Sequence, residues 1–272
     1  MSNSSNDQNT PRAASPERQV PWLAVDAGNS RIKLALCRAG RLEAGAACAW
    51  PDPPAGLSES LCSVLDRRVA VSGCLVASVV ASERETDLAD TLAARLETEV
   101  TFARVDEALF PTRYLDPTRL GVDRWLAALA ASASGDGACA VVDCGTALTI
   151  DLVDARGVHE GGVIAPGAAT MAQALSTSTA RLPLVAATAP ASPGRSTDEC
   201  IALGCDLAVA GLIAEAVARF DPERRRRWLV TGGAAPRLLD TPAGIPPLEH
   251  RPHLVLEGLA EYAVRAGWPA WS

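Results

Sequence analysis

One stretch of this chain occurs twice, and its recurrence restricts the fold more than any other feature. Leu23–Lys33 reads Leu-Ala-Val-Asp-Ala-Gly-Asn-Ser-Arg-Ile-Lys: an apolar run ending in an acid, a small-Gly-polar turn, then a second alternating run. That pattern specifies strand, tight turn, strand. A shift of 117 residues lays Leu23–Gly45 over Ala140–Gly162 without a gap. Val25/Val142, Asp26/Asp143, Gly28/Gly145, Gly40/Gly157, Glu43/Glu160 and Gly45/Gly162 are then identical, and Asn29 is answered by Thr146. The period is too long for a solenoid. It implies two related lobes, each offering an acid-tipped hairpin.

The tip chemistry narrows the function. Gly28 lets the main chain approach a ligand, and Asn29 and Ser30 add short hydrogen-bonding side chains. Amides converging on such a turn form an anion-binding concavity. An acid beside a phosphate repels it unless a cation lies between, so Asp26 and Asp143 point to a metal-assisted anion site. Among 25 basic residues, Lys33 is the only lysine, seven positions past Asp26 on the outgoing strand. Lysine is a compact point charge suited to one phosphate oxygen, whereas arginine is a wider fork. A solvated surface position is the alternative for Lys33.

Bulk properties exclude other classes. A chain of 272 residues with 48% hydrophobic content can bury one sizeable core or two small ones. A net charge of −7 argues against nucleic acid as a partner, since phosphate-backbone binding needs a basic footprint. No window reads as long and apolar enough to cross a bilayer. The polar start, Met1 to Arg18, lacks the apolar segment of a signal peptide and reads as a disordered tail. The expectation is a soluble cytoplasmic protein. Its eight cysteines contain no Cys-x-x-Cys pair, which favours buried small hydrophobes over disulfides or zinc.

In chain order, strands are expected near 21–26, 31–37 and 41–48, then a loop at Pro51–Pro54 and a helix over Ser58–Arg67. A strand at Gly73–Val80, a helix at Glu83–Leu96 and a strand at Val100–Val105 follow. Tyr114–Trp125 forms a loop into an Ala-rich helix at Leu126–Ala133, with Asp123 at or near its first turn, where an acid caps a helix. Ser134–Gly137 divides residues 20–134 from 135–272, two lobes after a tail at 1–19. The second lobe adds a strand at Val158–Ile164, a helix from Pro166, an excursion at Leu182–Arg195 and a long helix from Ser196 to about Arg219. Thr197 is either a cap or a ligand contact. A strand at Trp228–Thr231 leads through Gly232-Gly233 into a helix, and Leu254–Ala266 closes the chain. A Gly pair at such a junction admits a flat ring or phosphate against the backbone; a plain turn is the alternative.

The paired hairpins resemble the acetate/sugar kinase, Hsc70 and actin superfamily, and no Walker A sequence is present. Within it the chain resembles type III pantothenate kinase, the Bvg accessory factor family, from residue 21 onward. The motif Tyr-x-Asn-Pro-x-x-Leu-Gly-x-Asp-Arg matches Tyr114–Arg124, with Asp116 in place of the Asn. Asp-x-Gly-Thr-Ala-x-Thr matches Asp143–Thr149, Gly-Gly-x-Ile-x-Pro-Gly matches Gly161–Gly167, and Leu-Val-Leu-x-Gly-Leu matches Leu254–Leu259. Ala234 stands where relatives commonly carry an acid.

The resemblance implies an α/β fold of duplicated ribonuclease H-like lobes, the actin-like ATPase fold, with ATP in the cleft between them. It implies phosphorylation of pantothenate by ATP, the first step toward coenzyme A. Asp123 would be the general base, and Tyr114, Gly121, Val122, Asp123, Arg124 and Thr197 would hold pantothenate, with Arg124 facing its carboxylate. Asp26 would face Mg2+, Lys33 with Gly28, Asn29 and Ser30 would hold phosphate, Thr146 would contact ATP, and Gly232-Gly233 would hold the adenosine. Asp143 would bind a monovalent cation, K+ or NH4+, and the enzyme would be a homodimer. Two alternatives stand beside this: a small-sugar or acetate-type kinase of the same superfamily, and a nucleotide-binding regulator without chemistry.

Overall fold

The first copy of the repeat folds as strands β1 (Trp22–Ala27), β2 (Arg31–Arg38) and β3 (Arg41–Ala49) in a computed structural model that describes residues 20–50, 70–179, 182, 189–239 and 244–268. The expected tail, the Pro51–Pro54 loop, the Ser58–Arg67 helix and residues 183–188 of the Leu182–Arg195 excursion fall outside those residues. The first half continues with β4 (Cys74–Ser78), α1 (Ser82–Leu96), β5 (Val100–Phe102) and α2 (Val122–Ala133). The second half contains β6 (Cys139–Cys144), β7 (Ala147–Val153), β8 (His159–Pro166), α3 (Ala168–Ser178), α4 (Thr197–Phe220), β9 (Arg227–Thr231), β10 (Leu248–His250) and α5 (Leu254–Ala266).

The two sheets have one topology, β3-β2-β1-β4-β5 and β8-β7-β6-β9-β10, with antiparallel hairpins and parallel additions. This is the duplicated actin-like architecture. The ungapped repeat conceals a compensation, however. Asp26 pairs with Lys33, but Asp143 pairs with Thr149, because the second tip is one residue shorter. The following turn is one residue longer, so Ala35 opposite Gly45 is matched by Asp151 opposite Gly162. Thr149, not Ile150, therefore occupies the place of Lys33, and only the first hairpin carries a cation there.

Five layers result. On one outer side, Leu88 and Leu92 of α1, four residues apart, pack on the first sheet with Val25, Leu34 and Val76. On the other, Val209, Ile213 and Val217 of α4 cover the second sheet. Between the sheets, α2 rests on β6 and β7 while α5 rests on β1 to β4, and the two helices lie against each other. Each central helix thus covers the sheet of the other half. Trp22, Leu75, Trp125, Leu129, Val141 and Leu259 share this middle core, each buried side chain contributing about 1.5–3 kcal/mol. The helices approach closely because Gly258 faces the Leu126 carbonyl oxygen, which a Cβ would meet at 2.2 Å.

Several local expectations shift. Helix α2 begins at Val122 rather than Leu126, placing Asp123 in its first turn. A short 3-10 turn, Ala235–Leu238, follows the Gly pair instead of a longer helix. Strand β10 was not expected: three residues between prolines carry no periodicity, and pairing with Trp228–Val230 makes them a strand. Helix α4 corrects the reading that no segment is long and apolar enough to span a membrane. Its 24 residues pass that test by length and composition, yet Ile201, Cys205, Val209, Ile213 and Val217 face protein core. Its cap is Ser196, whose hydroxyl accepts from Glu199 N–H at 3.2 Å while Glu199 accepts from Arg195 N–H at 2.7 Å. Thr197 is therefore not the cap. Among the described cysteines none is in a disulfide; five are buried, Cys48 is half-buried, and Cys200 is exposed against expectation.

Candidate active site

The two hairpin tips meet. Ser30 Oγ and Thr146 Oγ1 share a hydrogen bond of 2.7 Å, so turns separated by 116 residues close on one point. The first turn is braced from behind, with Gly28 N–H donating to Arg31 C=O at 3.0 Å and Trp50 Nε1–H donating to Gly28 C=O at 2.6 Å. The indole fixes the peptide that presents Asn29 and Ser30, and the Arg84 guanidinium carbon lies 5.5 Å from its ring centroid. Trp50, just past β3, carries no motif that would have marked it.

Beneath the tips, three acids and one cation act on one another, Asp26 buried and Lys33, Asp123 and Asp143 half-buried. Lys33 Nζ lies 3.8 Å from Asp26 Oδ2, the pair facing each other across β1 and β2. Burial pushes the Asp26 carboxyl up to about 7; Lys33 opposes that shift, and Asp123 and Asp143 add to it. Burial likewise raises Asp143 to about 6, with Lys33 opposing and Asp123 and Asp151 adding. Asp123 is raised too, by burial first, against the Arg124 backbone N–H that donates to its Oδ1 at 2.8 Å. Asp26, Lys33, Asp123 and Asp143, far apart in sequence, thus belong to one electrostatic cluster.

Gly232 seats the far wall. Its φ of +91° is open mainly to glycine, and a Cβ would stand 2.4 Å from Asp143 Oδ1 and 2.5 Å from the Cys144 carbonyl oxygen. The Gly pair thereby packs on the second hairpin, and Ala234 N–H donates to Cys144 C=O at 3.0 Å. Beside it opens a cavity of about 220 Å³ lined by Gly145, Leu148, Ala168, Ala234, Arg237 and Leu238.

The Tyr114–Arg124 segment brings the rest. Asp116 Oδ1 accepts from Thr118 N–H at 3.1 Å and from the Thr118 hydroxyl at 2.6 Å, capping the short turn Pro117–Arg119. The cap needs only an acceptor, so an acid serves in place of an amide. Gly121 precedes α2, and the Val122 side chain is in the core, leaving only its backbone to a ligand. Arg124, expected to face a substrate carboxylate, is anchored by an acid of the second sheet. Its Nε and Nη2 donate to Asp151 Oδ2 and Oδ1 at 3.0 and 2.7 Å, a buried two-point pair.

Asp151 and His159 escaped sequence reading. His159 is fully buried, its Nε2 at 2.9 Å from Asp151 Oδ1 and its Nδ1 at 2.8 Å from Thr112 Oγ1. Thr112 Oγ1 in turn accepts from Tyr114 N–H at 3.1 Å. The one available sign was an acid inside the apolar run Leu148–Val153. Thr197 lies elsewhere: with Met171, Leu175, Cys200 and Ile201 it lines a groove of about 1040 Å³ between α3 and α4.

Comparison with known proteins decides the family. Residues 22–219 match the family model described as type III pantothenate kinase. A type III pantothenate kinase of Halorhodospira halophila is 39% identical over 255 residues, covering 89% of this chain and 97% of that protein. The chain belongs to the type III pantothenate kinase family. Another member, from Ectopseudomonas mendocina, is 38% identical over 88% of this chain and 97% of its own length. The solved structure of a Campylobacter jejuni protein described as a Baf family transcriptional activator has a TM-score of 0.58 at 19% identity, covering 90% of this chain and 98% of that one, and shares the fold. As a pantothenate kinase, the enzyme transfers a phosphoryl group from ATP to pantothenate in coenzyme A biosynthesis.

Proposed function

We propose that Asp123 is the general base of this kinase and that the space between the two hairpin tips holds the phosphates of ATP. The carrying observation is the convergence of Asp26, Asp123, Asp143 and Lys33 beneath the Ser30–Thr146 contact. Phosphoryl transfer asks for positioning and charge stabilisation more than covalent chemistry. Burial makes the Asp123 carboxylate a stronger base than a solvated one, suited to taking the acceptor hydroxyl proton. Lys33 and the Gly28–Ser30 turn, through its Asn29 and Ser30 amides, bind phosphate oxygens, and Thr146 contacts ATP from the opposite tip. The adenosine lies by Gly232-Gly233, in the neighbouring cavity.

Cation binding fits the donor set. Two of the three acids, Asp26 and Asp143, face Lys33, and among the described residues no three metal-ligating side chains are grouped closely enough to hold an ion unaided. Such a site suits Mg2+, which takes one or two carboxylates plus substrate phosphates; Asp26 is its protein ligand. The monovalent ion, K+ or NH4+, falls to Asp143. On the adjacent strand its partner Thr231 carries a buried hydroxyl with no hydrogen-bond partner, an oxygen free to face such an ion. These ions supply positive charge against the carboxylates and phosphates.

Pantothenate lies along Tyr114, Gly121, Val122 and Arg124, and Thr197 reaches an acceptor site as part of a homodimer. The dimer is supported by the face that α3 and α4 leave uncovered, where Leu207 is 59% and Leu175 38% exposed. The lobes are taken as residues 20–134 and 135–272, the enzyme as cytoplasmic. Asp123→Asn tests the central assignment. ATP binding should persist while turnover falls by roughly 10²–10⁴-fold. Normal turnover with a lowered melting temperature would make Asp123 a helix-capping residue only.

A further inference from the structure

We propose that Thr112, His159 and Asp151 form a positioning relay that sets the acceptor segment against the second sheet, fixing Tyr114 and Asp123 relative to one another. The inference rests on the reading of those two residues as acceptor-site residues. Asp151 accepts from Arg124 on both oxygens and from His159 on one, and none of the three side chains is solvated. A carboxylate paired with Arg124 can only accept, so His159 Nε2 bears the proton and donates it. His159 Nδ1 faces the Thr112 hydroxyl, which accepts from Tyr114 N–H and has its own proton to give the ring. The polar side-chain atoms of Asp151, His159 and Thr112 all find a partner in this arrangement.

Both ends of the relay terminate on the acceptor segment. At one end Arg124 is the neighbour of Asp123 on the first turn of α2. At the other, the Tyr114 backbone hangs from Thr112, and the Tyr114 ring lies against the His159 ring at 6.3 Å with an interplanar angle of 25°. The Arg124 guanidinium carbon approaches the same ring at 5.9 Å. Backbone pairing reinforces it: His159 N–H donates to Pro111 C=O at 3.0 Å and Arg113 N–H to His159 C=O at 2.8 Å. Asp151, on β7, is thus the common anchor for the ring and the carboxylate. Misplacing reacting groups by about an ångström can cost as much as 10²-fold, so loss of one link should be visible in kinetics.

Thr112→Val removes the hydroxyl and keeps the shape. The pantothenate KM should rise roughly tenfold while the ATP KM stays within about twofold, and Thr112→Ser should restore both. If Thr112→Val folds poorly, His159→Gln is read the same way, since it keeps an N–H for Asp151 and loses the acceptor for Thr112. A lowered melting temperature with unchanged pantothenate KM in both variants would make the relay purely structural and overturn the proposal. Asp123→Asn in the same assay separates the two levels. If it is inactive while Thr112→Val retains wild-type pantothenate KM, the relay fails alone; if it turns over normally, the acceptor-site reading fails, and the relay with it.

Discussion

Asp26 carries a charge in a place that disfavours it, and Asp26→Asn should therefore stabilise the ligand-free protein at alkaline pH while abolishing its use of ATP. The carboxyl, whose side chain is 11% exposed, titrates at about 7 instead of the ordinary 3.8, chiefly through burial. A raised folded-state value means the proton binds more tightly in the folded chain. The stabilising contribution is fully present below the unfolded value and is lost as pH rises through the folded one. Above neutrality, at about 1.4 kcal/mol per unit, the ionised group costs folding at most about 4 kcal/mol. Asparagine removes that cost but buries an amide and deprives Lys33 of its partner, a loss of about 1–3 kcal/mol. The net gain near pH 8 is about 1–3 kcal/mol, which for a chain of this size is about 2–9 °C in Tm. Thermal unfolding of both proteins in metal-free, nucleotide-free buffer, near pH 8 and near pH 4.5, measures it. A difference of the same size at both pH values, or a variant that melts lower near pH 8, would refute the reasoning.

Three further outcomes are expected. Gly232→Ala, forced to φ +91° with its methyl 2.4 Å from Asp143 Oδ1, should lose more than about 2 kcal/mol in denaturant unfolding and bind ATP poorly. Lys33→Arg keeps the charge but not its shape, so the ATP KM should rise by about 1–2 kcal/mol equivalent, and Mg-ATP should protect wild-type Lys33 from an acylating reagent; equal acylation rates with and without nucleotide would count against the site. Asp143→Ala should weaken ATP use and abolish the response to K+, checked by titrating K+ against Na+ in a coupled ADP-release assay.

The hairpins were legible because their information is local: alternation, an acid and a glycine turn specify the tip within a dozen residues. The same property misled by one residue, since a shortened tip and a lengthened second turn cancel in an ungapped alignment, and only strand pairing reveals that Thr149 faces Asp143. The first turn of α2 was displaced because Val122 and Arg124 precede the Ala-rich run that marks the helix in sequence. The Asp151 partner of Arg124 went unread because nothing near Arg124 in the chain announces it; it lies 27 residues on, in the second sheet. Strand β10 exists through its neighbour alone. What pattern could not supply, in each case, is the identity of a partner distant in sequence.

The crossing at Gly258 bears on how the enzyme moves. With the Leu126 carbonyl lodged where a methyl group would stand, α2 and α5 interlock backbone to backbone, and each is fastened to the opposite sheet. Sliding one helix along the other would have to lift that carbonyl out of its notch, so shear between the halves is blocked. Rotation about the interlocked pair is the motion this crossing leaves open, and it would part the Ser30–Thr146 contact between the tips.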